Sequence, residues 1–277
     1  MKYLLYCLPI VTVMSLLCSC EGLFDGIYDK VPDEEDPEVT IEGDTISGTL
    51  YVEADAWDEW FYIDFHAILQ AVTAVSEGEP IDSSCFQFDP YKIPTGLTGE
   101  WDGTSRLCTY RFRVLTGGGL ADNEYVSEVP IDPQPAPEAW DLAIHRNDCR
   151  TNGGSVLRTP YLVIESLPRN YEKFQKEMLS GLRDTTFCAD TEVENAVFVD
   201  NSTMLSELVP CQAIHLNSVL SSWLVMSIPP FPPTFTHDDG VFLLRMNDGT
   251  VAALRLLNYV SPKNVKCCLT IQYKYPI

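Results

Sequence analysis

Apolar and polar positions alternate or cluster in short runs along most of this chain, and the periods favour strands. Residues 48–54 (GTLYVEA) and 59–65 (EWFYIDF) are rich in aromatic and β-branched types, the side chains that fit a pleated, half-buried surface. Residues 107–115 (LCTYRFRVL) alternate cleanly: Leu107, Thr109, Arg111 and Arg113 on one face, Cys108, Tyr110, Phe112 and Val114 on the other. Gly117-Gly118-Gly119 ends that run. Residues 241–246 (VFLLRM) and 251–260 (VAALRLLNYV) flank Asn247-Asp248-Gly249-Thr250. Asp-Gly between apolar runs is a hairpin signal, because glycine accepts positive φ without a Cβ clash. Residues 267–275 (CCLTIQYKY) alternate again and close the chain as a strand, with Cys267 and Cys268 on opposite faces.

Helical spacing occurs twice. Ile68, Val72 and Val75 recur at helical intervals within 66–77, and residues 170–181 read as a helix capped by Asn170 and ended by Gly181. The proline-rich stretch 128–138 (EVPIDPQPAPE) is a loop or extended connector. No internal repeat or heptad interrupts this pattern. The body is expected to be one mostly β domain with one or two short helices.

The N-terminus has another character. Lys2 precedes an apolar run from Tyr3 to Leu17, too short and too terminal for a spanning helix and of the size of a signal-peptide core. The run ends in Leu17-Cys18-Ser19-Cys20, which resembles the bacterial lipobox, with Cys20 as the lipidated cysteine. Residues 1–19 are therefore expected to be a lipoprotein signal peptide and 20–47 a lipidated, acidic tether. The tether is rich in Gly and Pro and has too little apolar surface to fold alone. Its acidic residues after Cys20 resemble the export signals that place lipoproteins on the outer surface of Bacteroidetes-type bacteria. The expected location is the outer membrane, lipid-anchored, on the cell surface.

Charge narrows the partners. The chain carries 40 acidic and 18 basic residues, a net charge of −22, which repels phosphate backbones and anionic lipid surfaces. No nucleic-acid partner is expected, and membrane contact only through the lipid. Outside Cys7, Cys18 and Cys20 the cysteines are Cys85, Cys108, Cys149, Cys188, Cys211, Cys267 and Cys268. An exported protein can form disulfides, but this odd set leaves one thiol unpaired in a monomer and fixes no pairing. No Cys-x-x-Cys, Gly-x-Ser-x-Gly or His-Glu-x-x-His motif occurs, so zinc-ribbon, hydrolase and metalloprotease chemistry have no support, and no enzyme is expected.

Three segments in order carry a family likeness. They are Trp140-Asp141-Leu142-Ala143-Ile144-His145-Arg146 followed by Arg150-Thr151-Asn152-Gly153-Gly154, then Pro232-Pro233-Thr234-Phe235 leading into 241–259, and last the terminal LTIQYKYP at 269–276. With the aromatic strand around Trp60, they make residues 48–277 resemble the HmuY family of haem-binding lipoproteins. The resemblance implies a single HmuY-like mixed β-sheet domain. It also implies a protein that captures haem or a related porphyrin and passes it to an outer-membrane uptake receptor. Residues 78–135 form an insertion relative to compact members.

Family haem ligands are His or Met from two places, a loop well upstream of the Pro-Pro-Thr-aromatic motif and a position just before that motif; both residue types ligate haem iron. Here Ile228 and Phe231 occupy the second position and cannot coordinate. The candidates are therefore Met204 and Met226, as cofactor-binding and metal-ligating residues, with His215 as the substitute. The competing reading is an HmuY-fold lipoprotein that has lost haem ligation and binds another ligand or a protein partner. An exposed strand edge would allow a homodimer. His145 is read as structural or surface, His66 and His237 as lacking partners at metal-like spacing, and Asn152-Gly153-Gly154 as a tight turn without a phosphate-loop lysine.

Overall fold

The computed structural model describes residues 39–75, 90–93, 109–111, 124–127, 134–167, 186–193, 196–201, 207–210, 214–227, 230 and 232–277. The helix expected at 170–181 and most of the run 107–115 lie outside them. Of that run Thr109–Arg111 is a strand, paired with Glu124–Ser127.

Two antiparallel sheets organise the domain. The larger has seven strands in the order Val39–Glu42, Thr45–Glu53, Lys266–Tyr275, Val251–Val260, Val241–Arg245, Ser155–Arg158 and Cys188–Ala189. The smaller orders Pro90–Lys92, Glu59–Ile63, Leu142–His145 and Asp148–Thr151. The predicted hairpin forms at Val241–Arg245 and Val251–Val260, with Gly249 at φ 91° and its N–H donating to the Met246 carbonyl at 3.0 Å.

The sheets meet over one core. Ile46, Leu50, Leu254, Leu269, Ile271 and Phe242 from the larger sheet face Ile63, Leu142, Ile144 and Cys149 from the smaller. The helix Phe65–Ala74 plugs one side with Phe65, Ile68 and Val72. It starts one residue before the apolar spacing suggests because the Asp64 side chain accepts from the Ala67 N–H at 2.9 Å, which caps the helix and cuts the preceding strand to Glu59–Ile63. Val75 lies at the helix end, in extended backbone.

Both sheets are covered on their second faces as well. Leu157, Ile164, Val241, Leu243, Val251 and Ala253 cluster beyond the larger sheet; Trp60, Tyr62, Ile93, Ala143, Ile214 and Leu216 cluster beyond the smaller. This is why VFLL at 241–244 is a continuous apolar run and why every residue of Leu142–His145 is buried.

The turn between Asp148–Thr151 and Ser155–Arg158 carries the chain from one sheet to the other. Gly153 sits at φ 69°, and a Cβ on Gly154 would stand 2.7 Å from the Arg245 carbonyl oxygen. The reading of Asn152-Gly153-Gly154 as a tight turn holds for that steric reason.

The final strand departs from its expected alternation at one end. Cys267 has φ 66°, and Cys267, Cys268 and Leu269 are all buried, which interrupts the alternation of buried and half-buried positions at this end. Regular alternation begins at Leu269. Among the described cysteines, Cys149, Cys188, Cys267 and Cys268 are free.

Candidate functional site

Met226 lies on the strand Leu224–Ser227, which pairs with Thr234–His237 as an arm separate from both large sheets. Its base is tightly held. Trp223 is fully buried with its ring 6.3 Å from that of Phe242, and the Asp238 N–H donates to the Trp223 carbonyl at 2.8 Å. The Arg158 guanidinium donates to both Asp238 oxygens, at 2.9 and 3.2 Å, and this pairing holds the Asp238 carboxyl below its ordinary range.

Opposite residues in an antiparallel pair share a face. Met226 stands directly across from Phe235, and Leu224 across from His237. This face turns inward. Phe235 stacks on Tyr259 with ring centroids 5.6 Å apart, His237 lies 5.7 Å from the same ring, and His237 Nε2 meets the Leu256 carbonyl at 2.9 Å. Lys266 Nζ sits 5.0 Å from the Tyr259 ring centre. Val225 on the other face is 42% exposed. Met226, half-buried, therefore offers a thioether beside a stacked aromatic pair, with the Lys266 ammonium over the Tyr259 ring.

The other candidates are placed differently. Met204 lies outside the described residues, as do Ile228 and Phe231. His215 is exposed on Ile214–Leu216, which pairs with Thr191–Val193 in a sheet distinct from the Met226 arm. A hydrogen-bonded joint connects them. Fully buried Asn217 caps the short helix Ser218–Ser221 by accepting from the Leu220 N–H at 3.0 Å, and donates to the Cys188 carbonyl and to Asp190. Asp190, its carboxyl raised by burial, in turn accepts from the Thr151 N–H. The structure thus brings Met226 to an aromatic ledge and puts His215 on a different sheet.

His145 is structural, as expected, and buried. Its Nε2 meets the Trp57 carbonyl at 3.0 Å, and burial pushes its pKa down to about 4. At His66, where the sequence shows no partner at a metal-like spacing, the fold supplies partners from elsewhere in the chain. Its Nδ1 lies 3.2 Å from Asp141 Oδ2 and 4.0 Å from Asp64 Oδ1, and its Nε2 3.0 Å from Asp248 Oδ2. Only Asp64 is near in sequence, so spacing could not reveal the other two. Partial burial pulls the His66 pKa down, but Asp248 and Asp141 outweigh it and the pKa is raised. Burial raises the Asp141 carboxyl, while hydrogen bonds from Thr250 lower that of Asp248.

Two cavities are formed by described residues. One, of about 570 Å³, runs along Thr45–Thr49 and the C-terminal strand, with Thr40, Gln272 and Lys274 among its lining. The other, of about 300 Å³, lies at His66, Trp140, Asp141 and Asp248. Neither contains Met226 or His215.

The chain belongs to the HmuY family: the family model described as HmuY protein matches residues 56–273. Solved structures agree. One from Bacteroides fragilis NCTC 9343, provisionally described as a lipoprotein, is 27% identical, with a TM-score of 0.54 over 86% of this chain and 95% of that one. A second from Bacteroides vulgatus ATCC 8482, provisionally described as an HmuY-like heme binding protein, is 25% identical, with a TM-score of 0.53 over 83% and 92%. An apo HmuY analogue from Tannerella forsythia shares the fold at 18% identity, with a TM-score of 0.50 over 87% and 99%. No curated protein matches the chain. Among the described residues no helix is long and apolar enough to cross a membrane.

Proposed function

We propose that this chain is a haem-binding lipoprotein of the cell surface, lipidated at Cys20 and tethered by residues 20–47, whose domain over 48–277 captures haem for transfer to an outer-membrane receptor. It is a binding protein, and haem is its cargo. The observation that carries the reading is Met226 beside the Phe235–Tyr259 stack, on the arm that leads into the Pro-Pro-Thr-Phe segment of an HmuY-family chain.

The residues present fit one side of a haem. A thioether is a competent axial ligand, an aromatic pair suits a flat apolar ring, and Lys266 supplies a cation for a propionate. Met204 or His215 supplies the second ligand. The net charge of −22 disfavours an anionic ligand in general, so recognition rests on apolar contact and ligation rather than on long-range attraction.

A second reading has its own support: His215 and Met226 stand on separate sheets, as they would if ligation had been lost and the fold kept. Titrating the full chain with ferric haem decides between the two. A saturable absorption change at one equivalent, altered in a Met204→Ala plus Met226→Ala double variant, is expected. No saturable change contradicts haem binding and leaves the second reading.

A further inference from the structure

The helix start, the loop before Leu142–His145 and the turn of the 241–260 hairpin converge on His66, far from the Met226 arm. Asp64, His66 and Asp141 each offer one ligating atom, and these atoms all lie within 4.8 Å of one another. We infer that these three residues form a binding site for a first-row divalent cation of the Zn²⁺ class, with Asp248 positioning the imidazole.

The donor geometry comes first. Around a four-coordinate ion with ligand bonds of about 2.0–2.2 Å, neighbouring ligand atoms stand about 3.3–3.5 Å apart. His66 Nδ1 and Asp141 Oδ2 already lie at 3.2 Å, and Asp64 Oδ1 is 4.0 Å from the same nitrogen. With all three donor atoms within 4.8 Å of one another, a small inward movement of Asp64 completes a three-ligand face. Imidazole with two carboxylates suits this class of ion better than Ca²⁺ or Mg²⁺, which take oxygen alone.

The outer contacts are those a metal-binding histidine requires. A ligating imidazole usually gives its other N–H to a carboxylate, which fixes tautomer and ring orientation. Here Asp248 Oδ2 meets Nε2 at 3.0 Å, while Asp248 Oδ1 is held by the Thr250 N–H at 2.9 Å and the Thr250 hydroxyl at 2.6 Å. Nε2 can therefore carry the proton and leave Nδ1 with a lone pair facing Asp64 and Asp141. The carboxylates are also fixed by backbone: Asp141 Oδ2 accepts from the Phe65 N–H at 2.8 Å, and Asp64 Oδ1 from the Ala67 N–H at 2.9 Å.

Space and charge agree. A cavity of about 300 Å³ borders His66, Asp141 and Asp248, with Trp140, Asn152, Met246 and Asn247 completing its lining. Three carboxylates around one imidazole leave an excess of negative charge that a divalent ion neutralises. The site differs in place, residues and ligand from the haem arm and does not depend on it.

The test is titration of the haem-free full chain with Zn²⁺, at a pH well above the ordinary histidine range, followed by calorimetry and by Co²⁺ absorption. One saturable equivalent is expected, with a Co²⁺ spectrum free of thiolate charge-transfer intensity. His66→Ala, at a half-exposed position, should keep the circular dichroism of the parent and lose that equivalent. Asp248→Asn should weaken binding about 10- to 100-fold, as loss of an outer carboxylate does. Zn²⁺ should raise the Tm of the parent and not that of His66→Ala. The inference is overturned by no saturable binding, by equal binding in parent and His66→Ala, or by thiolate bands that assign the ion to cysteine.

Discussion

At the scale of single residues, two buried neighbours act in opposite directions on stability. Asp148 has its carboxyl pushed up to about 7 by burial, with Arg146 pulling it back, and burial drives His145 down to about 4. A carboxyl raised above its unfolded value of 3.8 lets the folded state hold the extra proton, so its contribution falls as pH rises from about 4 to about 7. A histidine lowered from 6.5 does the reverse: the unfolded state binds more protons between about 4 and 6.5, so stability rises with pH there. The two contributions largely cancel. Asp148→Asn removes one of them. Urea unfolding across this range should show the variant gaining on the parent as pH rises, by on the order of a few kcal/mol at pH 7. A difference independent of pH would contradict the assignment. The sequence could place His145 away from Leu142 and Ile144, but not bury it, because burial there comes from a second apolar cluster that includes Trp60, Tyr62, Ile93, Ala143, Ile214 and Leu216.

At the scale of elements, turns and edges were legible wherever one residue's backbone demands set them. Asp248-Gly249 marks the hairpin, and Asn152-Gly153-Gly154 marks the sheet-crossing turn. Gly154→Ala should cost about 1–3 kcal/mol in thermal or urea unfolding, since its Cβ meets backbone rather than a yielding side chain. Strand partners were not legible. Nothing local pairs Ser155–Arg158 with Val241–Arg245, or sets Thr45–Glu53 beside the C-terminal strand. The Met226 arm carries its own expectation. Phe235 is half-buried, stacked on Tyr259 and packed only against the margin of the main core, so Phe235→Ala should lower Tm by several degrees at most and leave the chain folded. The same change should weaken haem binding several-fold, about the worth of an aromatic contact, in a haem titration.

At the scale of the whole molecule, family and fold class were readable because three short segments keep their order and spacing across the domain, even though each is weak alone. The candidate ligand Met226 could be found from its place ahead of Pro232-Pro233-Thr234-Phe235. Its setting could not, since the Tyr259 ring that stacks on Phe235, and Lys266 over that ring, come from two later strands of the larger sheet. The His66 cluster was hidden for the same reason: its carboxylates at 141 and 248 are distant in the chain and meet only when the sheets close around the helix Phe65–Ala74.

The central claim is that this arm holds haem through Met226, and the most direct measurement is a comparison of haem titrations for the full chain and for Met226→Ala and Met226→His. The parent should show a saturable absorption band. Affinity should be at least about tenfold weaker in Met226→Ala, ~1.4 kcal/mol, and Met226→His should keep binding with an altered, imidazole-type spectrum. Superimposable titrations and spectra for all three chains would rule out ligation by Met226.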